Sequence, residues 1–309
     1  MARVYRDNPG NISEILPYVI TDESTIAQNI IMAQKCYFYD ASSFRKHSTW
    51  TELKYIAMYI RKNHGVVIIT RTILMEICSA KGEIWDEHIV FFKKMYELGI
   101  KIILMYEENV FNAMYFCYSA TEINQCLKYA VRTCKSKLGA VEKIVSQNKF
   151  LEKEVLSQEP TMGKSLVKRF FSEMRRNKSA LDNMGEELIT ICMHMLSNIP
   201  ELIQYKYIMF TEDKGAVLLL GKATKNIYDI LKKRMMAAIT TPKLLQEMIE
   251  NELVNDISIV CGLLEAEHNS DYIRIFCCEE YDLEPDSKVM TCNELAEKLL
   301  EKNKIHIFY

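Results

Sequence analysis

The sequence predicts an α/β fold, a three-layer arrangement with a parallel sheet flanked by helices, and three observations lead there. Short apolar runs alternate with long amphipathic stretches, the order expected of βα units. Several of those runs end in an acid or in small hydroxyl residues, the usual make-up of a strand's carboxyl end. Glycine (10) and proline (6) are scarce in 309 residues, which favours helix in the intervals.

A leading helix is expected over 22–34, and five candidate strands follow at 36–39, 66–69, 100–105, 207–210 and 237–240. Between the first two, Thr49-Trp50-Thr51-Glu52 has the form of a capping box opening a helix through Tyr59, and Asn63-His64-Gly65 closes it. Ser119-Ala120-Thr121-Glu122 is a second such box, starting a helical stretch that passes Lys149 and breaks near Glu159-Pro160. Thr241-Pro242 places a cap and an N1 proline before a helix over 243–253. Further on, 257–267 and 272–278 flank His268-Asn269-Ser270-Asp271 like the arms of a hairpin, and Thr291-Cys292-Asn293-Glu294 caps a last helix before 305–309. The expected organisation is an amino-terminal helical extension (1–35), a main domain (36–254) with a helical insertion at about 110–180, and a small α+β appendage (255–309).

Apolar residues at 49% and charged residues at 26% suit a soluble globular chain rather than a disordered one. The ten cysteines form no C-x-x-C pair, so reduced thiols in a cytoplasmic protein are the expectation. The first residues lack an apolar leader, and no stretch reaches the roughly 20 apolar residues of a membrane span, so no membrane partner is expected. Net charge is −2, unevenly spread: thirteen Asp/Glu against five Lys/Arg follow residue 250, giving −8 there and +6 before it.

Four acids adjoin segments that would be buried. Asp40 ends Cys36-Tyr37-Phe38-Tyr39-Asp40-Ala41-Ser42-Ser43, and Glu76 follows the apolar run 66–69 by about two helical turns. Glu186 lies in Gly185-Glu186-Glu187-Leu188-Ile189, and Asp213 in Thr211-Glu212-Asp213-Lys214-Gly215-Ala216. They are 36, 110 and 27 positions apart and can meet only if parallel strands bring their carboxyl ends together. Clustered carboxylates repel, and protonation or a hard cation such as Mg2+ or Mn2+ relieves the repulsion. Histidine is absent from these motifs, which argues against zinc.

These four motifs resemble those of PIN-domain nucleases over residues 30–245, the Thr-Glu-Asp element being the most specific. The resemblance implies a metal-dependent ribonuclease with Asp40, Glu76, Glu186 and Asp213 holding Mg2+ or Mn2+ and Glu212 as an auxiliary acid. It also implies RNA products with a 5′-phosphate and a 3′-hydroxyl, and many such nucleases are toxins of toxin-antitoxin pairs or defence effectors. An inhibitory protein partner and self-association stay open. The span from Met105 to Gly185 is longer than a compact member needs, and both termini carry additional sequence.

For the RNA, Lys164, Lys168, Arg169, Arg175, Arg176 and Lys178 form a basic stretch that includes Phe170 and Phe171. Ser42 and Arg71, beside the first two motifs, are candidate phosphate contacts. Each feature has a plainer reading. Asp40 would cap a helix, Glu76 would be solvated, Glu186 would complement a helix dipole, Asp213 would belong to a turn, and the two phenylalanines would be core. A PIN-like scaffold that binds nucleic acid or protein without cutting is one alternative. A haloacid dehalogenase-type phosphatase with Asp40 as nucleophile is a weaker one, because Ser42 stands where that class has a second Asp. The acidic end is also expected to dock on the basic stretch and restrain it.

Overall fold

Five buried strands of four to six residues form the centre of the molecule, and in the computed structural model they are mutually parallel. The structure describes residues 3–134, 139–163, 165–180, 182–200, 203–267, 272–279, 284–301 and 304–308. The first part of the chain runs α1 (Glu23–Met32), β1 (Lys35–Tyr39), α2 (Ala41–Thr49), α3 (Leu53–Lys62), β2 (Gly65–Thr70), α4 (Arg71–Ile77), α5 (Asp86–Glu97) and β3 (Ile102–Met105). Helices α6 (Val110–Met114), α7 (Ala120–Cys134), α8 (Ala140–Gln147), α9 (Lys149–Leu156), α10 (Ser165–Arg176) and α11 (Met184–Leu196) fill the long interval before β4 (Tyr207–Phe210). Then come α12 (Lys214–Leu231), β5 (Met236–Ile239), α13 (Thr241–Glu250), α14 (Ile257–Glu267), β6 (Tyr272–Glu279), β7 (Asp286–Thr291), α15 (Cys292–Leu300) and β8 (Ile305–Ile307).

The sheet order is β3-β2-β1-β4-β5. After β1 the chain builds outward through β2 and β3, then returns to lay β4 on the other side of β1. Such a reversal opens a crevice at the carboxyl ends of the two central strands. Register fixes its walls: Tyr39 pairs with Phe210, and the Asp40 N–H donates to the Phe210 carbonyl at 3.0 Å, so Asp40 and Thr211 leave the sheet side by side.

β1 is buried because helices cover both faces of the sheet, and Tyr37, Phe38 and Tyr39 are all 0% exposed. Tyr39 meets Phe44 and Phe91 edge-on at 5.9 Å, and Phe44 meets Phe91 at 4.8 Å, which locks α2 and α5 onto one face. The leading segment closes an edge. Ile20 bridges to Ile103 in parallel, donating to the Ile102 carbonyl at 2.8 Å and accepting from the Leu104 N–H at 3.0 Å, so β3 is not left open to other chains.

Three local expectations are corrected. Thr49 does not cap α3: Asp40 starts α2 directly after β1, that helix runs through Thr49, and the Thr49 hydroxyl bonds back to the Lys46 carbonyl at 2.7 Å. Thr240, one residue earlier than expected, is the N-cap of α13. Residues 257–267 are helix α14 and no hairpin arm, because Asp256 Oδ1 accepts from the Ser258 N–H at 2.8 Å and the Ile259 N–H at 3.4 Å and so launches a helix. The partner of β6 is β7, antiparallel, with Tyr272 opposite Thr291. Residues 268–271, where the hairpin turn was expected, lie outside the described residues. The boxes at Ser119 and Thr291 form, with Glu122 and Glu294 each accepting from the cap's N–H at 2.8 Å.

β6, β7 and β8 make a second, antiparallel sheet of order β7-β6-β8, and α14 packs against α15, α13 and α2. Among the described residues no helix is long and apolar enough to cross a membrane.

Because Phe44 joins α2, α5 and β1 with no exposed surface, Phe44→Ala leaves a cavity that rigid strands cannot close. We expect it to lower unfolding free energy by about 3–5 kcal/mol at an unchanged m-value in urea, and a loss below about 1 kcal/mol would contradict this packing.

Candidate active site

Asp40 is the N-cap of α2, held on both oxygens: Oδ1 accepts from the Ala41 N–H at 2.6 Å, and Oδ2 accepts from the Ser42 hydroxyl at 2.6 Å and the Thr211 hydroxyl at 3.0 Å. The last contact spans the crevice from β1 to β4. Thr211 Oγ1 in turn accepts from the Asp213 N–H at 3.1 Å, and Asp213 Oδ1 caps α12 through the Gly215 and Ala216 N–H groups. Asp213 is exposed at the mouth, while Asp40 is buried within it.

Glu76 reaches the site from α4, where Oε1 accepts from the Gly185 N–H at 3.1 Å and from the Lys178 ammonium at 3.0 Å. This approach needs a glycine in α11. A Cβ at position 185 would lie 2.7 and 2.8 Å from the two Glu76 oxygens and 2.6 Å from Ile73 Cδ1. Glu186, the next residue, is buried at the same edge. Burial first, and then the charges of Asp213, Asp40 and Glu76, push its carboxyl up to about 9. Glu76 is pushed up to about 7 by burial, opposed by Lys178 and reinforced by Asp40. Four acids from four elements therefore act in one electrostatic field.

Adjacent acids take opposite roles. Glu187 turns away from the site and accepts from the Gly139, Ala140 and Val141 N–H groups at 2.6, 3.1 and 2.8 Å, capping α8. Glu212, expected as an auxiliary metal ligand, directs Oε1 to the Thr241 N–H at 2.7 Å and hydroxyl at 2.9 Å, which secures the start of α13. Its place is structural, since the first turn of α13 needs an acceptor there.

The expected nucleic-acid contacts divide in the same way. Lys178 is no surface guide: its buried ammonium pairs with Glu76 and Asp182, and although burial lowers its pKa, these two acids outweigh that and hold it raised. Sequence reasoning assigned it to the wrong partner. Arg175 is buried against Glu107 and Glu108, with its guanidinium 4.9 Å over the Tyr106 ring. Arg71 lies 4.7 Å over the same ring and donates to the Asp7 carbonyl at 3.2 Å and Asn8 Oδ1 at 3.1 Å, so both arginines are tied to structure. Ser42 positions Asp40 and accepts from the Glu212 N–H at 3.2 Å. Lys168, Arg169 and Arg176 are exposed, with Arg169 paired to Glu154 at 2.6 Å and Arg176 to Glu173 at 3.7 Å. Phe170 and Phe171 are core, in edge contact at 5.1 Å, and Lys164 lies outside the described residues.

Among the described residues, no group of three or more His, Cys, Asp or Glu is arranged to hold a metal ion. The donor chemistry of the four acids nevertheless suits a hard cation. All are carboxylates, the hard oxygen donors such an ion prefers, and Glu186 is raised by burial first and then by the charges of the other three. The chain matches no family model, no curated protein and no solved structure.

Two outcomes follow. Gly185→Ala should cost about 1–3 kcal/mol in unfolding free energy, because Glu76 and Ile73 must both move, and an unchanged value would refute the close approach. Glu76 and Glu186 have folded pKa values above the ordinary glutamate value of 4.5, so the folded state binds more protons and stability falls as pH rises from about 4.5 towards about 9. Glu186→Gln should flatten the upper part of that decline in thermal melts from pH 5 to 9. An identical slope in the variant would show that Glu186 is not in the shared field.

Proposed function

We propose that this chain is a metal-dependent endoribonuclease of the PIN-like kind, acting on RNA phosphodiester bonds at the crevice between β1 and β4. The observation that carries this reading is the convergence of Asp40, Glu76, Glu186 and Asp213 on one parallel-sheet edge, where burial and then the charges of Asp213, Asp40 and Glu76 raise Glu186. These four residues would hold Mg2+ or Mn2+. Such an ion supplies charge neutralisation and an activated water for attack on phosphorus.

The chain's own residues do the positioning. Ser42 and Thr211 fix the rotamer of Asp40 by donating to its Oδ2. Glu76 is held by the Gly185 N–H and Lys178, and Asp213 is oriented by the first turn of α12. The phosphatase alternative is disfavoured because Ser42, which donates to Asp40 Oδ2, stands where that class has a second Asp. Cleavage leaving a 5′-phosphate and a 3′-hydroxyl is the outcome we expect, and the chemistry would serve a toxin, a defence effector or a housekeeping nuclease in the cytoplasm.

A second reading, a PIN-like scaffold that binds without cutting, is favoured by one observation: the Lys178 ammonium already balances Glu76. Turnover separates the two. Labelled single-stranded RNA should be cut with Mn2+ or Mg2+ and not with EDTA, and Asp40→Asn or Asp213→Asn should bring cutting below detection while melting stays cooperative. Cleavage that survives Asp40→Asn would defeat the nuclease assignment, and no cleavage by folded wild type would favour the scaffold.

A further inference from the structure

The carboxyl-terminal segment was expected to cover the basic helix, yet its helices pack on α2 and α13, beside the acidic crevice. Its antiparallel sheet has two unlike faces. Ile273, Ile275 and Cys277 point into the core, while Tyr272, Arg274 and Phe276 alternate onto the other face. Tyr272 is 64% exposed, and Val289, opposite Arg274 on β7, is 56% exposed. Phe308, 43% exposed, continues the row, its ring 6.0 Å from Phe276 and 5.0 Å from His306. Exposed aromatics with an arginine among them are unusual on a segment whose other charges are mostly acidic.

This face leads to the site. A cleft of about 300 Å3 has Arg274, Phe276 and Ser287 on the appendage side and Lys46, Lys214 and Pro242 on the side of the main sheet. Lys214 immediately follows Asp213, and Lys46 lies in the last turn of α2, the helix that Asp40 caps. Glu212 also lines the cleft, but its Oε1 is engaged by Thr241. Three basic side chains therefore stand along a path from the aromatic face to the acids.

We infer that the outer face of the β6–β7–β8 sheet is a platform for single-stranded RNA, with bases stacking on Tyr272, Phe276 and Phe308 and the backbone passing Arg274, Lys214 and Lys46 towards Asp213. The basic side chains Arg274, Lys214 and Lys46 along one cleft favour an anionic backbone, and stacking rings require unpaired bases, which together select single-stranded RNA as the occupant. The inference rests on the ribonuclease reading for what happens at the end of the path, while binding itself can be measured apart from cutting.

The experiment is fluorescence anisotropy of labelled U20 RNA with the full chain in EDTA, comparing wild type with Arg274→Ala, Arg274→Lys and the double variant Tyr272→Ala/Phe308→Ala. These side chains are exposed, so folding can be checked by melting alongside. Loss of two stacked bases should weaken Kd about tenfold or more. Arg274→Ala should weaken binding and lower the slope of log K against log salt by about 0.7, with Arg274→Lys retaining the slope. A duplex of matched length should bind more weakly than the single strand. Unchanged affinity in both alanine variants, equal affinity for duplex, or no binding by wild type overturns the platform, the last pointing to a protein occupant. Platform-dependent binding without Mn2+-dependent cleavage would sink the nuclease reading alone; cleavage at unchanged KM in the variants would sink the platform alone.

Discussion

The pairing of β1 with β4 is the constraint on which the rest of the structure depends. It sets Asp40 beside Thr211, and the hydroxyl of one bonds the carboxylate of the other across the switch in strand order. Everything acidic at this edge is then placed relative to that contact. Asp213 follows Thr211 by two residues and takes its direction from the same hydroxyl, while α4 and α11 bring Glu76 and Glu186 against it from the β2 side. A slip of one residue would turn Tyr39 away from its aromatic neighbours and move Asp40 out of reach, so the core and the site hold the same register.

The site carries an electrostatic cost. Burial and mutual repulsion raise Glu76 and Glu186, whereas Asp40 gains three donors and Asp213 two. Lys178 offsets part of the repulsion by bonding Glu76 from the loop after α10. Such an arrangement is bistable in charge, because protons, an internal ammonium or an external cation can each balance it. Strongly perturbed carboxyls of this kind cluster at functional sites. The buried Arg175–Glu107–Glu108 group nearby shows the contrast, since there one guanidinium bonds both acids, Nη1 donating to Glu107 and Glu108 and Nη2 to Glu108.

Much of the main sheet was legible because buried parallel strands are continuous apolar runs, and 36–39, 66–69 and 207–210 have no polar interruption. The carboxyl-terminal pairing was not legible: 257–267 is as apolar as a strand, and only the Asp256 side chain, bonding two N–H groups, tips it into helix. Of the candidate site, the acids at strand and helix ends could be read. Which of two adjacent acids faces the crevice was given by the motif resemblance, which singled out Glu186, and not by periodicity, because neighbours on a helix diverge by about 100° and Glu186 and Glu187 are chemically alike. The partners of Lys178, Arg175 and Arg71 could not be read, because they come from distant parts of the chain.

By itself, the sequence determined the strands, the helices between them and the presence of carboxylates at their ends, since these follow from local periodicity and capping. Only the tertiary structure decided that Glu212 and Glu187 serve helix starts, that Lys178 belongs to the acidic site and that Arg274 and Phe276 of the appendage share a cleft with Lys46 and Lys214. The physical reason is that a side chain's direction, its desolvation and its neighbouring charges are set by every element packed around it, and no window of sequence contains them all.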